Sequence, residues 1–253
     1  MYQLDKLKNI PGLVHGFSDI KDGNMSFDWG ESDSVIKNRS TFLSRLGINS
    51  ADCIITRTRM SHGTEIEIVN SSLKGRGINL SASGDADADA MMTSDKNLFL
   101  AILTADCLPV VIYDPIKKAI TLVHLSRINT PKNFARNVID KMKTEYNSIS
   151  EDIVVGIGPY IHKESYLFEK AELEKVIPNR KNFGRFILDL PNGKAAIDLA
   201  GYNVEEFISA GVLNKNIEVS EIDTATNTNF FSHCRSRLAV EPEGRMLTVV
   251  GMV

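Results

Sequence analysis

Residues 84–129 read GDADADAMMTSDKNLFLAILTADCLPVVIYDPIKKAITLVHLSRIN, and this stretch decides the fold. It contains four apolar runs separated by short polar turns, at 90–93, 98–104, 109–113 and 119–124. Branched side chains and near-continuous apolarity are typical of strands that are covered on both faces. The stretch therefore predicts four strands of a buried sheet.

Helices and shorter strands are predicted around this sheet. Thr130 and Pro131 are typical of a helix start, and the apolar residues that follow at helical spacing predict a face packed on the sheet. Ser34 is predicted to cap a helix over 35–46. Further helices are predicted at 171–176 and 195–211, and further strands at 13–19, 53–60, 65–69, 153–158, 186–190, 217–222 and 246–252. The strand at 65–69 alternates Glu with Ile and is predicted to form a hairpin with the strand before it.

Composition restricts the class of protein. The chain has 253 residues, of which 43% are apolar and 24% charged, so it can bury a core. A net charge of −3 and a pI near 6.0 provide no basic field for nucleic acid. No apolar run reaches the roughly 20 residues needed to cross a membrane. One domain over 1–253, with no nucleic acid or membrane partner, is predicted, and the oligomeric state is left open.

The three cysteines indicate the compartment. Cys53, Cys107 and Cys234 are an odd number and lack the spacing of a disulfide framework. The start of the chain also lacks the charged and then apolar layout of a secretory signal. A cytoplasmic protein is therefore predicted.

Cys107 and His124 each follow or end an apolar strand, and one tight connection separates the two strands. If these strands are neighbours, the two side chains reach the same end of the sheet, where His62 at a Gly63 corner can join them. Two imidazoles and a thiolate suit zinc or copper and leave a coordination position open. The alternative is an inert core cysteine and a histidine in a surface turn.

Acidic and basic residues near these positions are further candidates. Asp85, Asp87 and Asp89 alternate with alanines, and Asp89 lies closest to the apolar strand, so we predict it as a buried acid. Asp85 and Asp87 also fit a solvated loop. Arg235, in FFSHCRS, and Arg245, before the last strand, are candidates for binding phosphate or another anion.

Motifs along nearly the whole chain resemble the YfiH or laccase-domain family, formerly called polyphenol oxidases. They are HGFSD (15–19), SHGTEIEIV (61–69), DADAMMTSDKNLFLAILTADCLPVVIYD (87–114), ITLVH (120–124), VGIGPYI (155–161), IDLAGYN (197–203), TATNTNFFSHCRS (224–236) and EGR (243–245). The resemblance implies a metal centre, usually zinc, formed by His62, Cys107 and His124. The fold it implies is α+β, with mixed β-sheets in a sandwich flanked by helices, similar to the deamidase domain of cytotoxic necrotizing factor toxins.

The activity implied by the resemblance is on purine nucleosides: phosphorolysis of adenosine, inosine and methylthioadenosine, and deamination of adenosine. Phenol oxidation with copper and amidase editing of peptidoglycan precursors are related activities of the family. This sequence departs from the family at the turn after His124, where the usual HAGWRG reads HLSRIN over 124–129. Ile128 thus occupies the family's arginine position, while Arg127 lies one residue earlier and is a third candidate for binding phosphate or substrate. Met60 replaces a glutamine, and SHCR replaces SYRR over 232–235.

Three hypotheses follow. In the first, zinc and phosphate serve a nucleoside reaction, with Asp89 or Asp106 orienting ligands or handling a proton and an arginine holding phosphate. In the second, Cys107 is the nucleophile of a thiol hydrolase and His124 is its base. In the third, a metal-binding or interaction protein has lost catalysis, as Ile128 at the family's arginine position and Met60 at its glutamine position suggest. Copper-dependent phenol oxidation ranks lower, because one metal centre cannot by itself supply four electrons to oxygen.

Overall fold

The computed structural model describes residues 1–55, 62–79, 88–177, 183–239 and 241–253. In these ranges the strands are β1 (Leu13–Phe17), β2 (Cys53–Ile55), β3 (Ile66–Ile68), β4 (Ala90–Thr93), β5 (Phe99–Thr104), β6 (Leu108–Asp114), β7 (Ala119–Leu125), β8 (Val154–Ile157), β9 (Leu167–Glu169), β10 (Ile187–Asp189), β11 (Lys194–Ile197), β12 (Ile217–Val219) and β13 (Met246–Met252). The α-helices are α1 (Asp5–Lys8), α2 (Ser32–Arg45), α3 (Phe134–Tyr146), α4 (Lys170–Val176), α5 (Leu199–Ser209) and α6 (His233–Leu238).

Two mixed sheets pack face to face. The first has the strand order β1-β13-β5-β2 and the second has the order β12-β8-β6-β7-β4-β3. Leu100 and Val250 of the first sheet share a buried cluster with Val111 of the second. On the other face of the second sheet, Val138 of α3 packs in a separate core cluster, as predicted for this helix. The α+β sandwich with flanking helices is therefore confirmed.

The prediction of one sheet for the four central strands is wrong for β5. This strand pairs with β13 and β2 in the first sheet, while β4, β6 and β7 belong to the second. Apolar runs look alike in both sheets, because each sheet is covered on both faces. The chain crosses between the sheets from β5 to β6, and Cys107 lies in this crossing.

The predicted hairpin at 65–69 is also wrong. β3 pairs in parallel with β4, and β2 pairs in parallel with β5 in the other sheet. Alternation of Glu with Ile shows which face of a strand is buried, but it does not fix the direction of the partner. Residues 56–60 of the predicted strand, which include Met60, lie outside the described residues. Asp85 and Asp87 lie outside them as well.

Helix starts differ from the prediction in three places. α2 begins at Ser32 after Glu31, so Ser34 lies inside the helix and does not cap it. Thr130 begins a 3-10 turn, and α3 starts only after Asn133. The helix predicted at 195–211 begins later, because Asp198 caps α5 by accepting a hydrogen bond from the Gly201 N–H at 2.8 Å. Residues 195–197 belong to β11 instead.

β6 and β7 form the antiparallel hairpin that carries His124. Their pairing runs from Leu108 opposite Leu125 to the turn at 115–118. At this turn, Asp114 Oδ1 accepts two backbone N–H groups at 2.8 and 2.9 Å. The turn thereby fixes which residues of the two strands lie opposite each other.

A three-stranded sheet, with the order β10-β11-β9, completes the fold. β9 and α6 are not predicted from the sequence. Among the described residues, no helix is both long enough and apolar enough to cross a membrane.

Candidate active site

Three side chains that could hold a metal lie together at one end of the second sheet. The Sγ atom of Cys107 and a ring nitrogen from each of His62 and His124 all lie within 4.8 Å of one another. The two imidazole rings meet edge to face, with 5.2 Å between their centroids. His124 is buried, while His62 and Cys107 are partly exposed. The structure thus brings together three donors from separate segments of the chain.

Asp89 positions both histidines. Its Oδ1 lies 2.8 Å from His124 Nδ1, and its Oδ2 accepts the Gly63 backbone N–H at 2.6 Å. A carboxylate accepts hydrogen bonds, so the contact favours a proton on Nδ1 and leaves Nε2 of His124 available to a metal. Because Gly63 follows His62, the same carboxylate also fixes the corner that carries the second imidazole. Asp89 is fully buried, as predicted.

Two residues at the site have left-handed backbone conformations. The φ angle is 53° at His62 and 77° at Asp106, directly before Cys107. Non-glycine residues rarely adopt this region, and surrounding contacts must hold them there. The Asp106 carboxylate accepts hydrogen bonds from Thr224 Oγ1 at 2.7 Å and from the Cys234 N–H at 2.6 Å. These bonds support the turn that presents Cys107, and proton transfer by Asp106 stays a prediction.

The charges of the cluster favour an ionised thiol. Burial by itself would raise the pKa of Cys107, but the neighbouring His124 and His62 stabilise the thiolate and lower the pKa to about 6. Burial would likewise lower the pKa of His124, but the Cys107 thiolate and Asp89 raise it to about 9. Burial raises the pKa of Cys53 above its ordinary value. Cys107 is therefore the reactive cysteine of this pair, and Cys53 is inert.

We expect Cys107 in chelator-treated protein to react with iodoacetamide down to about pH 6, because its folded-state pKa lies below that of a free thiol, about 8.5. Peptide mass spectrometry across a pH series measures the rate at each cysteine. Cys53 serves as the internal control and should stay unmodified in the folded protein. A half-maximal rate for Cys107 near or above pH 8.5 would contradict the electrostatic assignment.

The cluster opens into a cavity of about 550 Å³. Its lining includes His62, Cys107, Arg127, Tyr166, His233 and Arg237. Pockets of roughly 300–1,000 Å³ are typical of sites for small molecules. His62 and Cys107, two of the three potential metal ligands, are thus accessible to a small-molecule substrate.

Arg127 is the predicted anion ligand that reaches this cavity. Its guanidinium carbon lies 5.1 Å from the Phe168 ring centroid. Its Nε is buried, and no atom of the described residues accepts a hydrogen bond from it. Ile128 lines the cavity as well and is 39% exposed. The one-residue shift of the arginine therefore still leaves a cationic donor in the cavity.

The turn after His124 is held by residues that differ from the family pattern. Asn129 is fully buried, and its Oδ1 accepts the Ser126 N–H at 2.7 Å. Its Nδ2 donates to the His124 carbonyl oxygen at 3.0 Å. The side chain of Asn129 thus closes the turn and ties it to the strand that carries the metal ligand.

Arg235 and Arg245, the other two predicted anion ligands, are not among the described residues that line the cavity. Arg235 donates to two backbone carbonyl oxygens at 2.6 and 2.7 Å and pairs with Glu241. Arg245 pairs with Glu243, and its guanidinium lies 5.4 Å from the Trp29 ring centroid. Because both guanidinium groups already have partners, these contacts disfavour phosphate binding by either arginine. A phosphate-binding role for Arg235 or Arg245 stays a prediction.

Four further lining residues are not singled out by the sequence pattern: Tyr166, Lys194, His233 and Arg237. Tyr166 directly precedes β9, and Lys194 is the first residue of β11 in the small sheet. His233 and Arg237 lie on α6. Polar residues on short elements have no periodicity that would reveal a shared site. The segment FFSHCRS includes His233, yet only the fold shows that this residue faces the same cavity as Cys107.

Comparison with known proteins identifies the family. Residues 14–253 match the family model described as multi-copper polyphenol oxidoreductase laccase. The chain belongs to this family. It is 24% identical to purine nucleoside phosphorylase YlmD of Bacillus subtilis, with 86% of this chain and 77% of the relative covered. It is 25% identical to adenosine deaminase RL5 from an unknown prokaryotic organism, with 92% and 93% covered.

A solved structure supports the same relationship. The crystal structure of YlmD from Geobacillus stearothermophilus is similar, with a TM-score of 0.87 and 25% sequence identity. The similarity covers 98% of this chain and 94% of that chain. The predicted family is therefore confirmed.

The donor set fits a single metal ion. Zinc binds imidazole nitrogen at about 2.0 Å and thiolate sulfur at about 2.3 Å. Three donors within 4.8 Å of one another can contact one ion after small movements of the side chains. The contact of His124 Nδ1 with Asp89 is the outer-shell hydrogen bond typical of metal-bound histidine.

Proposed function

We propose that the protein is a zinc-dependent enzyme that cleaves purine nucleosides with phosphate. The observation that carries this proposal is the His62, Cys107 and His124 cluster, ordered by Asp89 and open to a cavity that contains Arg127. The names of the relatives, purine nucleoside phosphorylase and adenosine deaminase, support the substrate class. We place the activity in the cytoplasm, as the cysteine pattern predicts.

His62, Cys107 and His124 are the residues that hold the metal in this proposal. When bound, zinc supplies a Lewis acid that stabilises negative charge on a substrate oxygen. Zinc is preferred to copper because the family resemblance implies it, and three protein donors with an open fourth position are the arrangement of catalytic zinc sites. Among the described residues, this is the one group of three such donors, which disfavours multi-copper oxidation.

The lining of the cavity has charged side chains that suit phosphate and aromatic side chains that suit a purine. Arg127, Arg237 and Lys194 bring positive charge to the lining, which also contains the carboxylates of Glu169 and Glu172. A guanidinium binds phosphate through paired hydrogen bonds. The Arg127 guanidinium lies over the Phe168 ring, so the uncovered part of this ring and the ring of Tyr166 are the aromatic surfaces on which a purine can stack. The cavity therefore contains side chains that suit each of the two substrates.

Zinc-loaded protein is expected to release adenine from adenosine or methylthioadenosine, and hypoxanthine from inosine, only when phosphate is present. Arg127→Met should raise the KM for phosphate about 10-fold or more, because a charged hydrogen bond contributes roughly 1.5–3 kcal/mol. Chromatography of the released base measures both effects. Arg136→Met removes an exposed arginine of α3 outside the cavity and is the matched control.

The same assay distinguishes phosphorolysis from deamination. Conversion of adenosine to inosine without phosphate would show that water is the nucleophile. If zinc-loaded protein neither releases base nor forms inosine, under conditions in which a relative is active, the proposal fails.

A thiol hydrolase is the second candidate. Cys107, His124 and Asp89 form a nucleophile, a base and an orienting acid, with 2.8 Å between the acid and the base. This candidate needs no metal. Full activity on an amide substrate after chelation would favour it, while loss of activity that zinc restores would favour the nucleoside enzyme.

A further inference from the structure

A second carboxylate and imidazole pair lies at the same cavity. His233, the first residue of α6, lines the cavity together with Cys107 and His62. Its Nδ1 is 3.0 Å from Glu243 Oε1, and its side chain is 49% exposed. Since the carboxylate accepts the Nδ1 proton, Nε2 is the nitrogen that can exchange a proton with a substrate.

Glu243 is held in place by other contacts. Its side chain is 14% exposed, Ser236 Oγ donates to its Oε2, and Arg245 pairs with its Oε1. Arg245 in turn lies over Trp29, with 5.4 Å from the guanidinium carbon to the ring centroid. Burial tends to raise the pKa of Glu243, but the bonds from Ser236, Arg245 and His233 lower it overall. The His233 imidazole is therefore hydrogen-bonded to the Glu243 carboxylate, which is ionised and held in a fixed position.

Other proton carriers line the cavity, among them Glu169, Glu172 and Lys194, but none of these three is an imidazole. The imidazole of His124 is bonded to Asp89 and faces the metal position. Burial raises the pKa of Tyr166, and burial with nearby Asp106 raises that of Cys234. An imidazole is the side chain that most readily donates and regains a proton near neutral pH. His233 is the lining residue with this chemistry outside the metal cluster.

We propose that His233 is the general acid that protonates the purine as it leaves, and that Glu243 and Arg245 position it. This inference rests on the proposed phosphorolysis. The C1′–N9 bond breaks with its electron pair moving to the purine, and a phosphate oxygen forms the new bond to C1′. His233 Nε2 gives its proton to the purine ring, and the proton lost by hydrogen phosphate restores the imidazolium. The products are the sugar 1-phosphate and the neutral base.

A nucleoside methylated at N7 tests this assignment, because its purine already carries a positive charge and leaves without an added proton. His233→Asn keeps an amide N–H that can donate to Glu243, but it cannot transfer a proton. We expect this variant to lose about 100-fold in kcat on inosine, at the low end of the 10²–10⁴-fold range for general acid catalysis. On 7-methylinosine the loss should stay below about 3-fold.

Glu243→Gln should show the same dependence on the leaving group with a smaller loss, because the imidazole remains but its support is weaker. Added imidazole should partly restore inosine cleavage by His233→Ala, which leaves space at the cavity wall. Zinc content equal to that of the wild type shows that neither variant disturbs the metal cluster. A purely structural role would reduce both reactions equally.

The outcomes separate this inference from the proposed function. Equal losses on inosine and 7-methylinosine, or no loss on either, would overturn the role of His233 and leave phosphorolysis intact. If the zinc-loaded wild type cleaved neither nucleoside, the proposed function would fail, and the role of His233 with it.

Discussion

Cys107→Ser is expected to abolish both zinc binding and nucleoside turnover. A serine hydroxyl stays protonated near neutral pH and is a weak ligand for zinc, whereas the neighbouring histidines lower the pKa of Cys107 to about 6. The loss in zinc affinity should exceed the 10–100-fold that is typical of outer-shell changes. Metal analysis after gel filtration measures stoichiometry, and the phosphorolysis assay measures turnover.

Cys53→Ala is the matched control for this experiment. Cys53 is fully buried in the first sheet, away from the cluster. Its replacement should reduce stability slightly and leave the zinc stoichiometry unchanged. Near-stoichiometric zinc in Cys107→Ser would show that the metal does not depend on this thiolate, and would contradict the assigned centre.

The second large effect is expected for Asp89→Asn. One carboxylate oxygen contacts His124 and the other accepts the Gly63 N–H. An asparagine has one acceptor oxygen, so its NH₂ group must face one of these two donors in either orientation. Zinc affinity should fall about 10–100-fold, because His124 loses its orientation or the His62 corner loses its anchor. The free energy of unfolding should fall by about 1–3 kcal/mol.

Competition with a zinc-binding dye measures the affinity of Asp89→Asn, and urea unfolding measures its stability. Asp114→Asn is the control, because Asp114 is also fully buried but lies at the turn end of the β6 and β7 hairpin. It should leave zinc affinity unchanged, because an asparagine Oδ1 can still accept the two backbone N–H groups that fix this turn. Wild-type zinc affinity in Asp89→Asn would mean that its carboxylate does not order the metal ligands.

The strands around the site could be predicted because short apolar runs of branched residues between polar turns are typical of buried strands. β4, β6 and β7 lie within about two residues of their predicted positions. The placement of β5 in the other sheet could not be predicted, because its apolarity is the same in either sheet. A single domain over 1–253 stays a prediction.

The metal donors could be predicted from the types of residue at strand ends and from the family motifs. Asp89 was identifiable as a buried acid because it adjoins an apolar strand. Its double contact depends on the parallel pairing of β3 with β4, which alternation alone does not reveal. His233 and Glu243 come together through a short helix and a loop, where neither periodicity nor spacing records the contact.

The turn at 115–118 contains none of the reactive groups, yet it determines whether they can meet. Ile116 in this turn is 66% exposed, and exposed turns usually tolerate insertions. Here an added residue that shifted the pairing of β6 with β7 by one position would turn His124 toward the opposite face of the sheet. The length of this surface turn is thus constrained by the chemistry at the far end of the hairpin. A protein with a longer turn could keep its fold and still lose its metal site.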